Sequence, residues 1–155
     1  MTPESGDAES SRAVVLHGTA VALGGRGLLV LGSSGAGKSG LALRLIAMGA
    51  KLVADDRVEL RREGSGAAER LLARAPAPLA GLIEARGVGV LRLEPQGEVA
   101  IDLAADLDRS PSARMPQAAT ITLLGREVEL ILARDVPNID SVLMISMRYR
   151  WSPSE

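Results

Sequence analysis

This sequence has no cysteine and no phenylalanine, and it contains one tryptophan, one tyrosine and one histidine. Without cysteine the chain can form neither a disulfide framework nor a thiolate nucleophile. The scarcity of aromatic rings argues against base stacking, which is how binders of single-stranded nucleic acid hold their ligand. The core must therefore be built from leucine, valine, isoleucine, alanine and methionine.

An excess of charge of either sign and long apolar runs are missing as well. The 18 basic and 19 acidic residues give a formal net charge of −1, so no electrostatic attraction to nucleic acid or to an anionic membrane is expected. No early segment pairs a basic start with an apolar run, and no apolar stretch reaches the roughly 18 residues of a membrane helix. We therefore expect a soluble, cytoplasmic protein with no nucleic-acid or membrane partner.

The length of 155 residues fits one domain with a proper core. Residues 1–10 are small, polar and acidic, which predicts a disordered tail. The folded domain is expected over residues 11–150, and residues 151–155 are expected to form a second short tail. No internal repeat is evident, so the domain is not expected to be a solenoid.

The strongest pattern in the chain is a glycine-rich stretch, G-x-x-x-x-G-K-S, between Gly32 and Ser39. An apolar run predicts a buried strand over residues 28–31 before it, and the spacing over residues 41–46 predicts a helix after it. This is the context of a phosphate-binding loop, in which backbone N–H groups and the helix N-terminus face a triphosphate. Lys38 is expected to reach the β and γ phosphates, and the Ser39 hydroxyl to ligate Mg²⁺; the alternative is a chance glycine-rich turn. The predicted ATP-binding residues are Gly32, Ser33, Ser34, Gly35, Ala36, Gly37, Lys38 and Ser39.

Apolar and polar residues alternate along much of the chain, which predicts many short strands and few helices in a mixed sheet. Residues 14–16 and 21–23 are expected to pair with each other through a turn at residues 17–19. Two prolines open residues 79–84, which are expected to form one or two helical turns. The remaining predicted strands cover residues 51–54, 58–61, 71–74, 90–93, 99–103, 120–124 and 128–132.

Punctuating residues predict where other elements end. Gly49 is expected to end the helix after the glycine-rich loop. Residues 106–117 carry two prolines and mixed charge, which predicts a mobile loop. A hairpin turn is expected at Gly125-Arg126, and Asn138 is expected to cap a final helix that runs to about Tyr149.

Two adjacent carboxylates, Asp55 and Asp56, follow the predicted strand over residues 51–54. Ligand sites in α/β sheets form outside the carboxyl ends of strands, where the glycine-rich loop also lies. Adjacent side chains on an extended chain point in opposite directions, so one carboxylate can face Mg²⁺ or its water shell while the other faces an incoming nucleophile. The alternative interpretation is a solvated turn.

Three further side chains are candidates for the same site. His17 is the single histidine, and beside Asp55 or Asp56 it could tune a carboxylate or move a proton; otherwise it is a structural or surface residue. Glu84 and Arg86 share a face if the chain is extended, which suits a metal ligand beside a phosphate contact. A surface ion pair is the alternative for these two residues.

Taken together, these segments resemble the catalytic domain of the bacterial HPr kinase/phosphorylase family. That family carries His-Gly ahead of the loop, Val-Ala-Asp-Asp after the loop's helix, and Ile-Glu-Ile-Arg-Gly-Leu-Gly further on. The corresponding residues here are His17-Gly18, Val53–Asp56 and Ile83–Gly89, with Ala85 and Val88 departing from the signature. The match runs from about Val14 to Arg150. The resemblance implies an α/β fold with a P-loop kinase core and a mixed, strand-rich sheet, similar to the HPr kinase and phosphoenolpyruvate carboxykinase group.

The resemblance implies a protein-serine kinase that uses ATP and Mg²⁺ to phosphorylate HPr, a small phosphocarrier protein, or an HPr-like protein. The same site in the family runs phosphorolysis, in which inorganic phosphate attacks the phosphoserine and releases pyrophosphate. By position, Asp56 is the base for the kinase and the acid for phosphorolysis, with Asp55 beside it and His17 assisting. Lys38 holds the transferring phosphoryl group, and Ser39 and Glu84 are the magnesium ligands.

The chain departs from the family at several points. No counterpart of the N-terminal domain of full-length members is recognised in the sequence, so we expect a short form of the family. The arginine of the family's mobile loop is matched best by Arg114, with Arg109 as a rival. Of the family's Pro-Val-Arg-Pro-Gly-Arg-Asn run, associated with dephosphorylation, Arg134 and Asn138 persist, while the second arginine and the glycine do not. Family members assemble as homo-oligomers, namely hexamers.

Two other functions are compatible with the sequence. One is a nucleotide-sensing regulatory module that binds ATP and a partner with little turnover. The other is a P-loop kinase for a small metabolite, although the chain shows no obvious lid or second substrate domain.

Overall fold

The structure, a computed structural model, describes residues 13–149. The predicted tails over residues 1–10 and 151–155 lie outside the described residues, as do the outermost residues of the predicted domain. Within residues 13–149 the chain forms eleven β-strands and two α-helices, joined by short turns. None of the helices in this range is long and apolar enough to span a membrane.

The strands are β1 (Val14–His17), β2 (Thr19–Leu23), β3 (Arg26–Leu31), β4 (Lys51–Ala54), β5 (Arg57–Glu63), β6 (Arg70–Arg74), β7 (Leu82–Ala85), β8 (Gly89–Arg92), β9 (Val99–Asp106), β10 (Ala119–Leu123) and β11 (Arg126–Leu132). The helices are α1 (Lys38–Ala47) and α2 (Ile139–Arg148). Single 3₁₀ turns cover Gly66–Ala68 and Ala77–Leu79.

Nine of these strands form one mixed sheet. Its main path runs β1-β5-β6-β9-β3-β2-β4, and β11 pairs with the carboxyl-terminal half of β9 while β10 pairs with β11. The β3–β9 and β9–β11 pairs are parallel, and the other pairs are antiparallel. The predicted α/β class with a mixed, strand-rich sheet is therefore confirmed. Strands β7 and β8 form a separate hairpin.

Strand β3 carries the glycine-rich loop and lies in the middle of the sheet between β9 and β2. Leu28, Leu29 and Val30 are fully buried, because both faces of this strand are covered. On one face Leu28 and Val30 pack in a core with residues of α1 and α2, and on the other Leu29 packs in a second core. Burying each leucine contributes roughly 1.5–3 kcal/mol, so the loop begins from a rigid strand.

Helix α1 is flanked by glycines, and its end just before Gly49 is as the sequence predicts. Gly37 occupies the N-cap with φ 100° and ψ 22°, a left-handed conformation that favours glycine. Met48 is the C-cap, and Gly49 follows with φ 116° and donates its N–H to the Ile46 carbonyl at 3.0 Å. The helix N-terminus therefore opens directly onto the glycine-rich loop.

The prediction that residues 14–16 pair with residues 21–23 is wrong. Strand β1 pairs with β5, and β2 pairs with β3 on one side and β4 on the other. Gly18 alone separates β1 from β2, which is too short for a hairpin, since the common hairpin loops need two residues or more. The segment from Val14 to Leu23 is instead one extended run that bends at Gly18.

The predicted helical turns over residues 79–84 are also wrong in part. A single 3₁₀ turn ends at Leu79, and the chain then becomes strand β7. Gly81 has φ 79°, which interrupts a right-handed helix, and the burial of Ile83 and Ala85 alternates as it does in a strand. The segment is too short for the spacing of its apolar residues to distinguish the period of a helix from that of a strand.

Near the carboxyl end the predictions are close. Asn138 is the N-cap of α2, but it has φ 55° and ψ 37° and makes no side-chain capping hydrogen bond. The hairpin turn lies at Leu124-Gly125, one residue earlier than predicted, and Arg126 already belongs to β11. Residues 107–118 form no regular helix or strand, and they correspond to the predicted loop.

Candidate active site

The glycine-rich loop leaves the carboxyl end of β3 and curls around Lys38. The Lys38 ammonium donates to the carbonyls of Gly32 at 2.8 Å and Ser33 at 3.0 Å, and the side chain is buried. Gly35 and Gly37 have φ values of 87° and 100°. Such turns aim successive N–H groups into a concavity that binds anions. The loop therefore has the backbone shape and the fixed cation of a phosphate site.

Asp55 is a buried carboxylate at the end of β4 that joins three elements. Its Oδ1 accepts hydrogen bonds from the Ser39 hydroxyl at 2.7 Å and the Thr19 hydroxyl at 3.0 Å. Its Oδ2 accepts the backbone N–H of Glu84 at 3.3 Å. Because the Ser39 hydroxyl donates its hydrogen bond to Asp55, the lone pairs of its oxygen remain free to bind a cation.

Asp56 has a different environment from its neighbour. It adopts φ 68°, and its side chain is 62% exposed. Its Oδ1 lies 3.4 Å from His17 Nδ1, and its Oδ2 lies 4.0 Å from Arg57 Nε. The two carboxylates therefore point apart, one towards the loop and the other towards solvent and the histidine.

A single antiparallel register explains why these groups meet. His17 is opposite Arg57 in the β1–β5 pair, and Ala20 is opposite Ala54 in the β2–β4 pair. The two residues between them continue this register. Gly18 donates its N–H to the Asp56 carbonyl at 3.2 Å, and Thr19 faces Asp55. Strand pairing therefore fixes the histidine and the hydroxyl against the two aspartates.

A cavity of about 330 Å³ opens between the loop, this register and the β7–β8 hairpin. It brings together nine residues that the sequence predicts for the site. These are His17, Ser34, Gly35, Gly37, Lys38, Ser39, Asp56, Glu84 and Arg86. Glu84 and Arg86, both described by the structure, form no ion pair with each other, and both face this cavity.

A larger cavity of about 690 Å³ lies on the opposite side of the same loop. Arg134 lines it, 3.9 Å from the carboxylate of Asp135 and largely exposed. Asp108 and Arg44 line it too. Since both cavities share loop residues, an extended ligand such as a nucleotide can cross the loop from one to the other.

The structure does not bring Arg114 to the glycine-rich loop. Arg114 lines a separate, largely apolar cavity of about 310 Å³ beside β11 and α2. Its rival Arg109 pairs with Asp106 at 3.3 Å and accepts the N–H of Arg134 on its carbonyl. The role predicted for an arginine of this loop stays a prediction.

Sequence reasoning missed Thr19 and Asp108. Thr19 is fully buried beside Asp55, and the opposing register of residues 17–20 and 54–57 would have indicated it. Asp108 contacts the loop at Ser33, and its place just beyond β9, the parallel neighbour of β3, was the available signal. Carboxyl ends of neighbouring parallel strands meet at one edge of a sheet.

The donor set around Ser39 fits a magnesium ion. Within residues 13–149 no three histidine, cysteine, aspartate or glutamate side chains gather into a protein-only metal cage. Mg²⁺ in kinase sites is held by one or two carboxylates together with waters and substrate phosphates, at oxygen atoms. The hydroxyl of Ser39, backed by Asp55 and facing the cavity that Glu84 lines, supplies this kind of ligand.

Comparison with known proteins identifies the family. The family model for the HPr Serine kinase C-terminal domain matches residues 8–106. Curated relatives named HPr kinase/phosphorylase include that of Halalkalibacterium halodurans, 45% identical over 78 residues that make up 50% of this chain and 24% of the relative. The relative from Exiguobacterium sibiricum is 41% identical over 85 residues, 55% of this chain and 26% of the relative. The matched part of this chain thus spans about a quarter of the length of these relatives.

A solved structure shares the fold. The Hpr(Ser) kinase/phosphatase from Coxiella burnetii superposes with a TM-score of 0.70 at 24% identity, covering 87% of this chain and 88% of that one. The superposition extends over most of the chain, beyond the end of the family match at residue 106.

Proposed function

This chain belongs to the HPr Serine kinase C-terminal domain family, and on that premise we propose that it transfers the γ-phosphoryl group of ATP to a serine hydroxyl of HPr or an HPr-like carrier protein. One observation carries the proposal. The glycine-rich loop and an exposed carboxylate beside His17 line one cavity together with Ser39, whose hydroxyl donates to a buried carboxylate behind it. Phosphoryl transfer depends on this combination of an anion cradle, a metal ligand and a proton acceptor.

The loop is proposed to hold the phosphates of ATP, with Lys38 neutralising the phosphoryl group in transfer. Ser39 and Glu84 are the proposed Mg²⁺ ligands, and Asp55 orients the Ser39 hydroxyl by accepting its proton. When bound, Mg²⁺ supplies positive charge that offsets the charge of the phosphates. Arg86, which lines the same cavity, is proposed as a further phosphate contact.

Asp56 is the proposed general base. A serine hydroxyl is a weak nucleophile, so a carboxylate must accept its proton while the new P–O bond forms. The exposure of Asp56 allows a serine on another protein to reach it, whereas the burial of Asp55 does not. His17, 3.4 Å from the Asp56 carboxylate, is proposed to orient it.

Phosphorolysis is proposed as a secondary activity of this site. Inorganic phosphate would attack the phosphoserine phosphorus, the P–O bond to serine would break, and Asp56 would return a proton to the serine oxygen as pyrophosphate forms. Arg134, in the larger cavity, is the arginine of the family's dephosphorylation run that the chain keeps, and Asn138 is kept with it. We also propose, from the family, a cytoplasmic homo-oligomer, a hexamer, which analytical ultracentrifugation tests.

Intact-mass measurement after incubation with Mg-ATP and HPr tests the kinase. We expect HPr to gain about 80 Da, one phosphoryl group, and the gain to disappear when EDTA removes the metal. A mass gain that persists in EDTA would contradict the role of Mg²⁺. Adding inorganic phosphate to phosphorylated HPr should release pyrophosphate and return HPr to its original mass, as phosphorolysis requires.

The same experiment separates the two other functions. A nucleotide-sensing module would bind ATP but leave the mass of HPr and the ATP concentration unchanged. A kinase for a small metabolite would consume ATP with a metabolite extract in the absence of HPr. Either result, with no mass gain on HPr, would contradict the proposed activity.

A further inference from the structure

Asp108 is an acidic residue that contacts the glycine-rich loop directly. Its Oδ2 accepts the backbone N–H of Ser33 at 2.7 Å, and its Oδ1 accepts the Ser33 hydroxyl at 2.9 Å. Its own N–H donates to the carboxylate of Asp106 at 2.8 Å. The Asp108 side chain is therefore held at both of its oxygens and through its backbone.

The parallel pairing of β9 with β3 places Asp108 at this position. Leu31 is opposite Asp106, and the N–H of Leu107 donates to the Leu31 carbonyl at 2.8 Å. Asp108 and Ser33 each follow two residues after this pair, and so they lie side by side. The fit is close, because a Cβ added at Gly32 would come within 3.2 Å of the Leu107 Cβ.

Ser33 connects Asp108 to Lys38. The Lys38 ammonium donates to the Ser33 carbonyl at 3.0 Å and to the Gly32 carbonyl at 2.8 Å. Asp108 thus holds the N–H side of Ser33, while Lys38 holds its carbonyl side. The orientation of this part of the loop depends on both contacts.

We propose that Asp108 is a positioning residue for the nucleotide: it fixes the Ser33 end of the glycine-rich loop so that the loop and Lys38 are ordered before ATP binds. This rests on the proposed function for the identity of the ligand. A loop that is already ordered spares the entropy cost of ordering it at binding. Two hydrogen bonds to a charged acceptor supply the restraint.

The negative charge of Asp108 opposes ATP binding, because it lines a cavity beside the proposed phosphate site and repels the phosphates. Asp108 is exposed, so water and salt screen this repulsion. The hydrogen bonds act at contact distance and are screened less. We therefore expect the ordering effect to outweigh the repulsion.

Calorimetric titration with Mg-ATP separates the two effects. Asp108→Ala removes the acceptor and the charge, and we expect about fivefold weaker binding, as for the loss of a typical net hydrogen bond. Asp108→Asn keeps an oxygen that accepts the Ser33 N–H and removes the charge, so it should bind as tightly as wild type or more tightly. Asp102→Ala is the matched control and should not change binding, because Asp102 lies within β9, the strand that precedes Asp108, and pairs with Arg26.

Amide hydrogen exchange measured by NMR reports on the restraint itself. In Asp108→Ala the Ser33 amide should exchange about fivefold faster or more, since it loses its acceptor, and in Asp108→Asn it should return towards wild type. The amide of Leu29, inside β3, should not change in either variant. A general loss of stability would instead speed exchange along the whole strand.

Several results would overturn the proposal. Tighter binding by both variants would mean that Asp108 acts through its charge alone. Unchanged binding by Asp108→Ala, or equal weakening by both variants, would remove its role as the acceptor for Ser33. Failure of the wild-type protein to bind Mg-ATP would overturn the proposed function and this role together, whereas wild-type binding with an unaffected Asp108→Ala would overturn this role alone.

Discussion

At the scale of single residues, the neighbouring carboxylates Asp55 and Asp56 show how one strand end can serve two tasks. Asp55 is buried and accepts three hydrogen bonds, which fix its oxygens towards Ser39 and Thr19. Asp56 takes a left-handed backbone conformation and turns its carboxylate outward towards His17. A fixed acceptor suits the support of a metal ligand, and an accessible one suits proton transfer.

Replacing each aspartate in turn tests this division. Asp56→Asn should lower the rate of phosphoryl transfer about 10²–10⁴-fold, as for loss of a general base, with ATP binding retained. Asp55→Asn should chiefly weaken the binding of Mg²⁺ at Ser39, because the acceptor of the Ser39 hydroxyl changes. Single-turnover kinetics with a magnesium titration measure both. The assignment would be reversed if Asp56→Asn lowered the transfer rate only slightly while Asp55→Asn lowered it strongly at every magnesium concentration.

Lys38 offers a second test at this scale. Lys38→Ala should reduce transfer by about 10²–10³-fold or more while the fold stays intact, because the lysine acts through charge. Lys51→Ala, at an exposed lysine of β4, is the control for a lost positive charge. Rates are measured by intact mass, and folding by circular dichroism. A variant at the wild-type rate would show that Lys38 does not hold the transferring group.

At the scale of elements, an ion pair joins Arg61 of β5 to Glu98, the residue before β9, across the intervening strand β6. Both nitrogens of Arg61 that face Glu98 donate to its carboxylate, at 2.9 and 2.7 Å. The hydrogen bond from Arg61 holds the pKa of Glu98 below its ordinary value of 4.5, and hydrogen bonds from Arg70 and then Arg61 lower the pKa of Glu63. The hydrogen bond to Glu98 likewise raises the pKa of Arg61.

These shifts predict a pH dependence with a definite sign. Because the pKa of Glu98 is lower in the folded chain than in the unfolded one, its stabilising contribution is complete above its ordinary value and is lost as the pH falls through the folded value. Urea unfolding of Glu98→Gln should therefore show a smaller loss of stability than wild type between neutral pH and a pH well below 4.5.

Glu129→Gln is the matched control for this measurement. Glu129 is exposed on β11 and makes no ion pair within the part of the chain that the structure describes. The Glu129→Gln variant should lose stability on acidification to the same extent as wild type. Identical acid sensitivity of wild type and Glu98→Gln would show that the Arg61 pair does not act on stability.

The sequence predicts those elements whose pattern is local. The strand before the loop, helix α1 and strand β4 follow from the apolar runs and from Gly37 and Gly49. Strand pairing between distant segments is not local, so the sequence predicts β2 as the partner of β1, whereas the partner is β5. The same limitation hid Thr19 and Asp108, since each reaches the site through a neighbouring strand.

At the scale of the whole molecule, the family match ends at residue 106 while the fold continues to α2. Leu143 on α2 is fully buried in the same core as Leu41 and Leu45 of α1. The carboxyl-terminal part is therefore packed on the element that starts at the glycine-rich loop. We expect the two parts to unfold together.

Leu143→Ala tests this cooperativity. The cavity should lower the free energy of unfolding by about 2–5 kcal/mol, in one transition that both ends of the chain share. Ile145→Ala, at a 58% exposed position of the same helix, should change it little. Urea unfolding followed by circular dichroism and by NMR signals of β3 measures both. Two separate transitions in wild type would contradict a single cooperative unit.

Strand pairing, rather than a loop, brings His17 and Thr19 against Asp56 and Asp55. A site built in this way tolerates exchange of neighbouring side chains, because the backbone partners stay the same. It does not tolerate a change of length, since one residue inserted into either strand turns every following side chain to the other face. Over evolution, residues 14–20 and 54–60 are therefore expected to diverge in composition while insertions and deletions between them are eliminated.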